Sequence, residues 1–277
     1  MKLVSYIYQG KDSFGLVNGE GIVDLATRTG KPSLKHILDD LDAVKKFASE
    51  TPDVALKDVI LAPTIPDPDK ILCLGVNYLT HLKETGRETP KYPMFFSRFA
   101  NSQVGHEQPM ILPKVSERFD YEGELAVIIG KRARHISEAD AFSIVAGYAC
   151  YNDGSIRDWQ RHTIQFLPGK NFVGTGGFGP WMVTPDEVPN ILTANLFTRL
   201  NGKVMQHATI DDLLFNIPQI IAYSSTFTEL VPGDVIVTGT TSGVGAYHEP
   251  PIWMKEGDVV EVEIDGIGTL RNPIVAE

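Results

Sequence analysis

Two glutamates, Glu122 and Glu124, stand in residues 119–130, which read FDYEGELAVIIG. Positions two apart on a strand project from the same face, so these carboxylates lie side by side. Like charges that close repel and raise each other's pKa unless a cation or a donor neutralises them. The apolar run LAVIIG that follows has the character of a strand buried on both faces. Arg118, Lys131 and Arg132, close in sequence, are one source of compensation. A third acid points to another. Asp153 stands where the run VAGYACYND gives way to GSIRDWQ. Three carboxylates at strand ends, without a cysteine or histidine cluster, suit a hard divalent cation with oxygen ligands. Mg²⁺ would keep some of its waters, leaving positions for a substrate to chelate.

Four further groups carry chemistry. In GVNYLTHLKETG, residues 75–86, His81 and Glu84 are three apart and face the same way on a helical turn. Glu84 then orients His81 and raises its basicity, and the flanking glycines let the segment move as a lid. Lys170, in FLPGKNFVGTGGFGPWMV, is either a solvated loop lysine or, beside a metal, an oxyanion stabiliser or proton donor. Arg157 and Gln160 follow Asp153 by four and seven residues, so a helix starting there puts all three on one side. The run VTGTTSGVG, residues 237–245, reads as a strand leaving through a glycine-rich turn. Its backbone N–H groups and Thr240 are candidates to hold a substrate carboxylate.

The elements around these residues are mostly strands. KLVSYIY is strand-like, FGLVNGEGIVDLA gives two short strands about a turn, and SLKHILDDLDAVKKFASE reads as an amphipathic helix. The proline-rich stretch LAPTIPDPDK then marks a boundary, giving a small α/β module over residues 1–65 and a larger unit over 66–277. In the larger unit PMILP, ELAVIIGKRA, IVAGYACYND, PWMVT and DVIVTGT read as strands. LFTRLNGKVMQ and VEVEIDGIGTLRN read as hairpins with Asn-Gly and Asp-Gly turns. Helical patterns are few: SEADAFSIV, and DDLLFNIPQIIAYSST, in which Pro218 is expected to kink or interrupt the helix. The fold class is therefore α+β, mostly β.

Composition limits the partners. A formal net charge of −10 argues against nucleic acid. No apolar run approaches the ~18–20 residues a membrane span needs. Cys73 and Cys150 both lie in apolar runs and read as reduced core thiols. The opening MKLVSYIYQGKDSFG lacks the apolar core of a signal peptide, so a cytoplasmic location is expected.

Taken in order, NYLTHLKETG, DYEGELAVIIG, NDGSIRDWQ, PGKNFVGTGGFGPWMV and VTGTTSGVG resemble the fumarylacetoacetate hydrolase family, from about residue 70 to residue 272. The resemblance implies a β-roll core of mixed sheets and a Mg²⁺ or Mn²⁺ ion held by Glu122, Glu124 and Asp153. It implies a homodimer, a lid carrying His81 and Glu84, and Lys170 facing the metal. Tyr78, Arg157, Gln160, Gly239 and Thr240 would contact a 2-oxo acid substrate. For an acylpyruvate such as fumarylpyruvate or maleylpyruvate, His81 would activate water for attack at C4, and C3–C4 would break to release pyruvate. The alternatives are decarboxylation of an oxaloacetate-type acid, or isomerisation or hydration of a 2-oxo acid. The turn GTTSGVG carries Thr241 and Ser242 where the family commonly has proline and alanine, which suits a more polar substrate tail. Arg98, Ser102, His162 and Gln165 are candidates to read the substrate's distal end.

Overall fold

The computed structural model describes residues 1–277. Its body is one large mixed sheet and a second, five-stranded sheet. In the large sheet, strand Gly123–Ile129 pairs antiparallel with Val145–Asn152 on one side and with Val235–Val237 on the other. Val235–Val237 runs parallel to Ile71–Gly75, which continues to Met94–Arg98. Beyond Val145–Asn152 lie Gly176–Val183 and then the N-terminal strands Lys2–Tyr8, Lys11–Asn18 and Gly21–Asp24. The N-terminal module therefore extends the same sheet, through the pairs Lys2↔Val183 and Leu3↔Met182.

The apolar run after Glu124 is continuous because the strand is buried on both faces. Leu125, Val127 and Ile129 enter a core of 25 buried residues with Leu196, Val262, Ile264 and Leu270 of the five-stranded sheet. Ala126 and Ile128 enter a second core of 21 residues, shared with Leu16, Leu25 and Ile37 of the N-terminal module. Cys73 and Cys150 are free thiols buried one in each core. The Asn-Gly and Asp-Gly hairpins form as the turn chemistry requires, with Asn201, Gly202 and Gly266 all at positive φ. No helix is long and apolar enough to cross a membrane.

Helices depart from the sequence reading in three places. The pattern at residues 33–50 forms a 3₁₀ turn, Leu34–Asp40, and a short helix, Asp42–Lys45, rather than one amphipathic helix. Asp39 and Asp40 fall where a continuing helix would gather its negative end, so extension past them is disfavoured. In SEADAFSIV only Ala141–Ile144 turns, because Val145 is drawn into the sheet. Pro218 neither kinks nor interrupts its helix. It lies in the first turn of Ile217–Phe227, where a missing N–H costs nothing.

That helix begins at a capping box. Asn216 Oδ1 accepts from the Gln219 N–H at 3.0 Å, and Gln219 Oε1 accepts from the Asn216 N–H at 2.9 Å. Ile217, Ile220 and Ile221 are thereby held in the main core. Asn216→Ala is expected to lower the unfolding free energy by about 1 kcal/mol. Urea unfolding would show this as a lower midpoint at unchanged slope.

Candidate active site

Period two along the strand places Glu122 and Glu124 on one side, in line with Ala126 and Ile128. Asp153 follows Val145–Asn152, whose register sets Asn152 against Gly123, and its N–H donates to the Glu122 carbonyl at 2.8 Å. Carboxylate oxygens of Glu122, Glu124 and Asp153 consequently lie within 4.8 Å of one another, all buried.

Burying three acids requires compensation, and three basic side chains supply most of it. Lys170 Nζ donates to Glu122 Oε2 and to Asp153 Oδ2, both at 2.5 Å. Arg157 lies 2.6 Å from Glu122 through Nη1 and 2.7 Å from Asp120 through Nε. Arg98 donates to Asp153 Oδ1 at 2.6 Å and to the Gly154 carbonyl at 3.0 Å. With Asp120, four buried carboxylates thus meet three buried cations. Glu124 is the acid left without a basic partner; its only hydrogen bond comes from the Gly239 N–H at 2.5 Å.

The protonation equilibria follow that ledger. Burial raises the pKa of Glu122, but Arg157 and Lys170 outweigh it and hold the carboxyl down at about 2. Burial raises Glu124 well above its ordinary value, and the charges of Asp153 and Glu122 add to the effect. Burial alone would lower Lys170; Asp153 and Glu122 reverse this and keep it an ammonium. Asp120 is raised by burial against the pull of Arg157. A buried carboxylate with no cation of its own, beside two others at ligand spacing, fits a divalent ion with oxygen ligands.

The His81–Glu84 dyad is formed. His81 and Glu84 share the helix Leu79–Thr85, and His81 Nδ1 donates to Glu84 Oε2 at 2.7 Å. Glu84 Oε1 also accepts from the Gly243 N–H at 2.8 Å, which ties the helix to the glycine-rich turn. Thr80 fixes the other end through Asp212 at 2.6 Å. His81, Glu122, Glu124, Arg157, Lys170 and Thr240 line one cavity, with Gln160 also in its wall. The Tyr247 ring stands edge-on to His81, with centroids 6.0 Å apart.

Several sequence expectations change. Asp153, Arg157 and Gln160 do not share a helix, because Ser155–Ile156 forms a strand with Phe119–Asp120 and the helix starts at Arg157. Tertiary packing brings them together instead. Tyr78 is fully buried in the main core and is absent from the cavity wall. The glycine-rich turn gives its N–H groups to protein acids, with Gly239 serving Glu124, Gly243 serving Glu84, and Gly245 and Ala246 serving Asp120. The Thr240 hydroxyl donates to the Gly123 carbonyl and accepts from Gln206. Arg98 and Ser102 are buried and hydrogen-bonded to each other, so Arg98 secures Asp153 rather than reading a substrate's distal end. His162 and Gln165 are not in the cavity wall. Thr241 is buried with its hydroxyl 3.0 Å from that of Thr80. Asp120 and Tyr247 were missed. Asp120 had a signal, since it alternates with Glu122 and Glu124 in DYEGE. Tyr247 had none.

The profile of the Fumarylacetoacetate (FAA) hydrolase C-terminal family matches residues 70–275. The chain belongs to the fumarylacetoacetate hydrolase family. A mitochondrial oxaloacetate tautomerase of Homo sapiens is 37% identical over 267 residues, covering 93% of this chain and 85% of the relative. The maleylpyruvate hydrolase of Sphingobium sp. SYK-6, solved with manganese(II) and pyruvate, superposes with a TM-score of 0.84 at 28% identity, covering 100% of this chain and 99% of the other. A 5-carboxymethyl-2-hydroxymuconate delta-isomerase from Mycobacterium smegmatis gives 0.80 at 30% identity, with 100% and 99% coverage. This is a family of enzymes, and this member has the buried acidic triad suited to a metal ion.

Glu124 sets a testable pH dependence. Its folded-state pKa lies above the ordinary 4.5. Its contribution to stability is therefore fully present below that value and is lost as pH rises toward the raised one. In metal-stripped protein, the melting temperature of wild type relative to Glu124→Gln is expected to fall as pH climbs from 4.5 to neutrality. Adding Mn²⁺ or Mg²⁺ should restore wild type and leave the variant unmoved. A difference that stays flat with pH would contradict the assignment.

Arg98→Met leaves one Asp153 oxygen buried and unpaired, at a cost of about 3–5 kcal/mol. Denaturant unfolding of the metal-stripped protein measures it.

Proposed function

We propose that this protein catalyses keto–enol tautomerisation of a 2-oxo acid of the oxaloacetate type, moving a proton at C3 beside the 2-oxo group. The observation that carries this reading is the His81–Glu84 pair, whose imidazole lines the same cavity as Glu122, Glu124 and Lys170. The 37% identity to an oxaloacetate tautomerase supports it.

Glu122, Glu124 and Asp153 would hold a divalent ion, which would supply Lewis-acid stabilisation of developing negative charge, typically worth several kcal/mol. The residues do the rest. Nδ1 of His81 is committed to Glu84, so Nε2 is the ring atom left to exchange a proton with C3. In ketonisation Nε2–H protonates C3 while the enol hydroxyl gives up its proton to solvent; in the reverse direction neutral Nε2 accepts. Glu84, itself held by the Gly243 N–H, holds the imidazole in place. Lys170, kept as an ammonium by Glu122 and Asp153, adds positive charge beside the enolate oxygen. Arg157 Nη2 is buried without a protein partner and is the donor available to the 1-carboxylate. The Gln160 carbonyl is taken by Arg157 at 3.1 Å, which leaves its amide N–H for substrate.

A second reading is hydrolysis of a 2,4-dioxo acid to pyruvate and a second acid. It is favoured by likeness across the whole chain to the maleylpyruvate hydrolase. There His81 would take a proton from the water that attacks C4, and the C3–C4 bond would break. Product mass separates the two. The enol absorbance of oxaloacetate, followed with Mg²⁺ or Mn²⁺, is expected to decay faster with enzyme while the mass is conserved. His81→Ala should lower kcat by about 10²–10⁴-fold. Pyruvate and CO₂ as products would make the protein a decarboxylase. Cleavage of maleylpyruvate or acetylpyruvate without tautomerisation would make it a hydrolase.

A further inference from the structure

Two arginines of the cavity wall have no charged counterpart. Arg87 and Arg161 both line the cavity that holds Glu122 and Glu124, and neither makes an ion pair or a side-chain hydrogen bond. Of the other eight arginines, Arg28, Arg98, Arg132, Arg157, Arg199 and Arg271 each pair with an acid, Arg134 donates to the Ser225 carbonyl, and Arg118, which is not in the cavity wall, has no side-chain partner. In a chain of net charge −10, acids to pair with are plentiful. The two come from separate elements. Arg87 follows Gly86, the left-handed cap (φ 65°) that ends the lid helix, while Arg161 caps the short helix begun by Arg157. Both are exposed at the outer part of the wall, whereas the triad and Lys170 are buried.

We propose that Arg87 and Arg161 recognise a second carboxylate, remote from the 2-oxo group, so that the preferred substrates are 2-oxo dicarboxylates. This rests on the 2-oxo acid reading above. A 2-oxo acid bound at the triad places its 1-carboxylate and oxo group inward, near Arg157 and Lys170. A further carboxylate on the same molecule is repelled by Glu122 and Glu124 and must lie where positive charge faces it without competition. Two guanidinium forks there offer charge-assisted, bidentate contacts. Because Arg87 stands on the segment just after the lid helix, the contact also ties that segment to the substrate. A monocarboxylate forgoes both contacts.

The test compares oxaloacetate with its 4-methyl ester, which keeps the 1-carboxylate and oxo group and loses the distal charge. Metal-loaded wild type, Arg87→Gln, Arg161→Gln and the double variant are measured by kcat/KM and, independently of turnover, by calorimetric binding of each compound. Wild type is expected to prefer the diacid, and each single substitution to reduce that preference about tenfold, the size of one charge-assisted hydrogen bond. The double variant should show no preference, and its binding of the diacid should respond less to added salt. A preference that survives the double substitution, or its absence in wild type while both compounds are turned over, overturns the recognition site and leaves the tautomerase reading standing. Binding that prefers the diacid through both arginines, without turnover of either compound, supports the recognition site and removes the tautomerase.

Discussion

The structure depends on an imbalance of buried charge. Asp120, Glu122, Glu124 and Asp153 are withdrawn from water with only Arg98, Arg157 and Lys170 to meet them. An unpaired carboxylate in such surroundings costs several kcal/mol unless a proton or a cation neutralises it. Glu124 carries that need, and its raised pKa is the energetic trace. A divalent ion at that site would turn the excess of negative charge into an excess of positive charge.

The same constraint explains the glycine-rich turn. Gly239, Gly243, Gly245 and Ala246 direct their N–H groups to Glu124, Glu84 and Asp120. Gly239 and Gly243 stand at φ 99° and 93°, where an L side chain is strained, and a Cβ on Gly243 would meet the Met205 carbonyl at 2.1 Å. One turn therefore donates to Glu124, holds Glu84 and secures Asp120, the anchor of Arg157. The orientation of the dyad and the seat of Glu124 are tied to a single piece of backbone.

The N-terminal module belongs to this arrangement through the sheet. Its strands extend the sheet beyond Gly176–Val183 and cover the face from which Ala126 and Ile128 project. Glu122 and Glu124 lie on that same face, where the apolar contacts of the second core stop. The acids sit at the margin of the core, enclosed enough for strong electrostatics and open enough to reach a cavity.

Much was legible in the chain itself because it depended on local periodicity. Alternation put Glu122 and Glu124 on one face, helical spacing put His81 against Glu84, and the Asn-Gly and Asp-Gly pairs placed the hairpins. The mostly β class followed from strand patterns of the same kind. Local patterning misled where tertiary demands prevailed, as at residues 153–157, where a strand replaced an expected helix start, and at Tyr78, drawn into the core. Only the folded chain decided that Lys170 bridges Glu122 and Asp153, that Arg98 secures Asp153, and that the turn serves acids of the protein. These are contacts between residues 17 to 159 positions apart. No local period encodes them; they exist because strand register and the packing of two cores bring those side chains to one place.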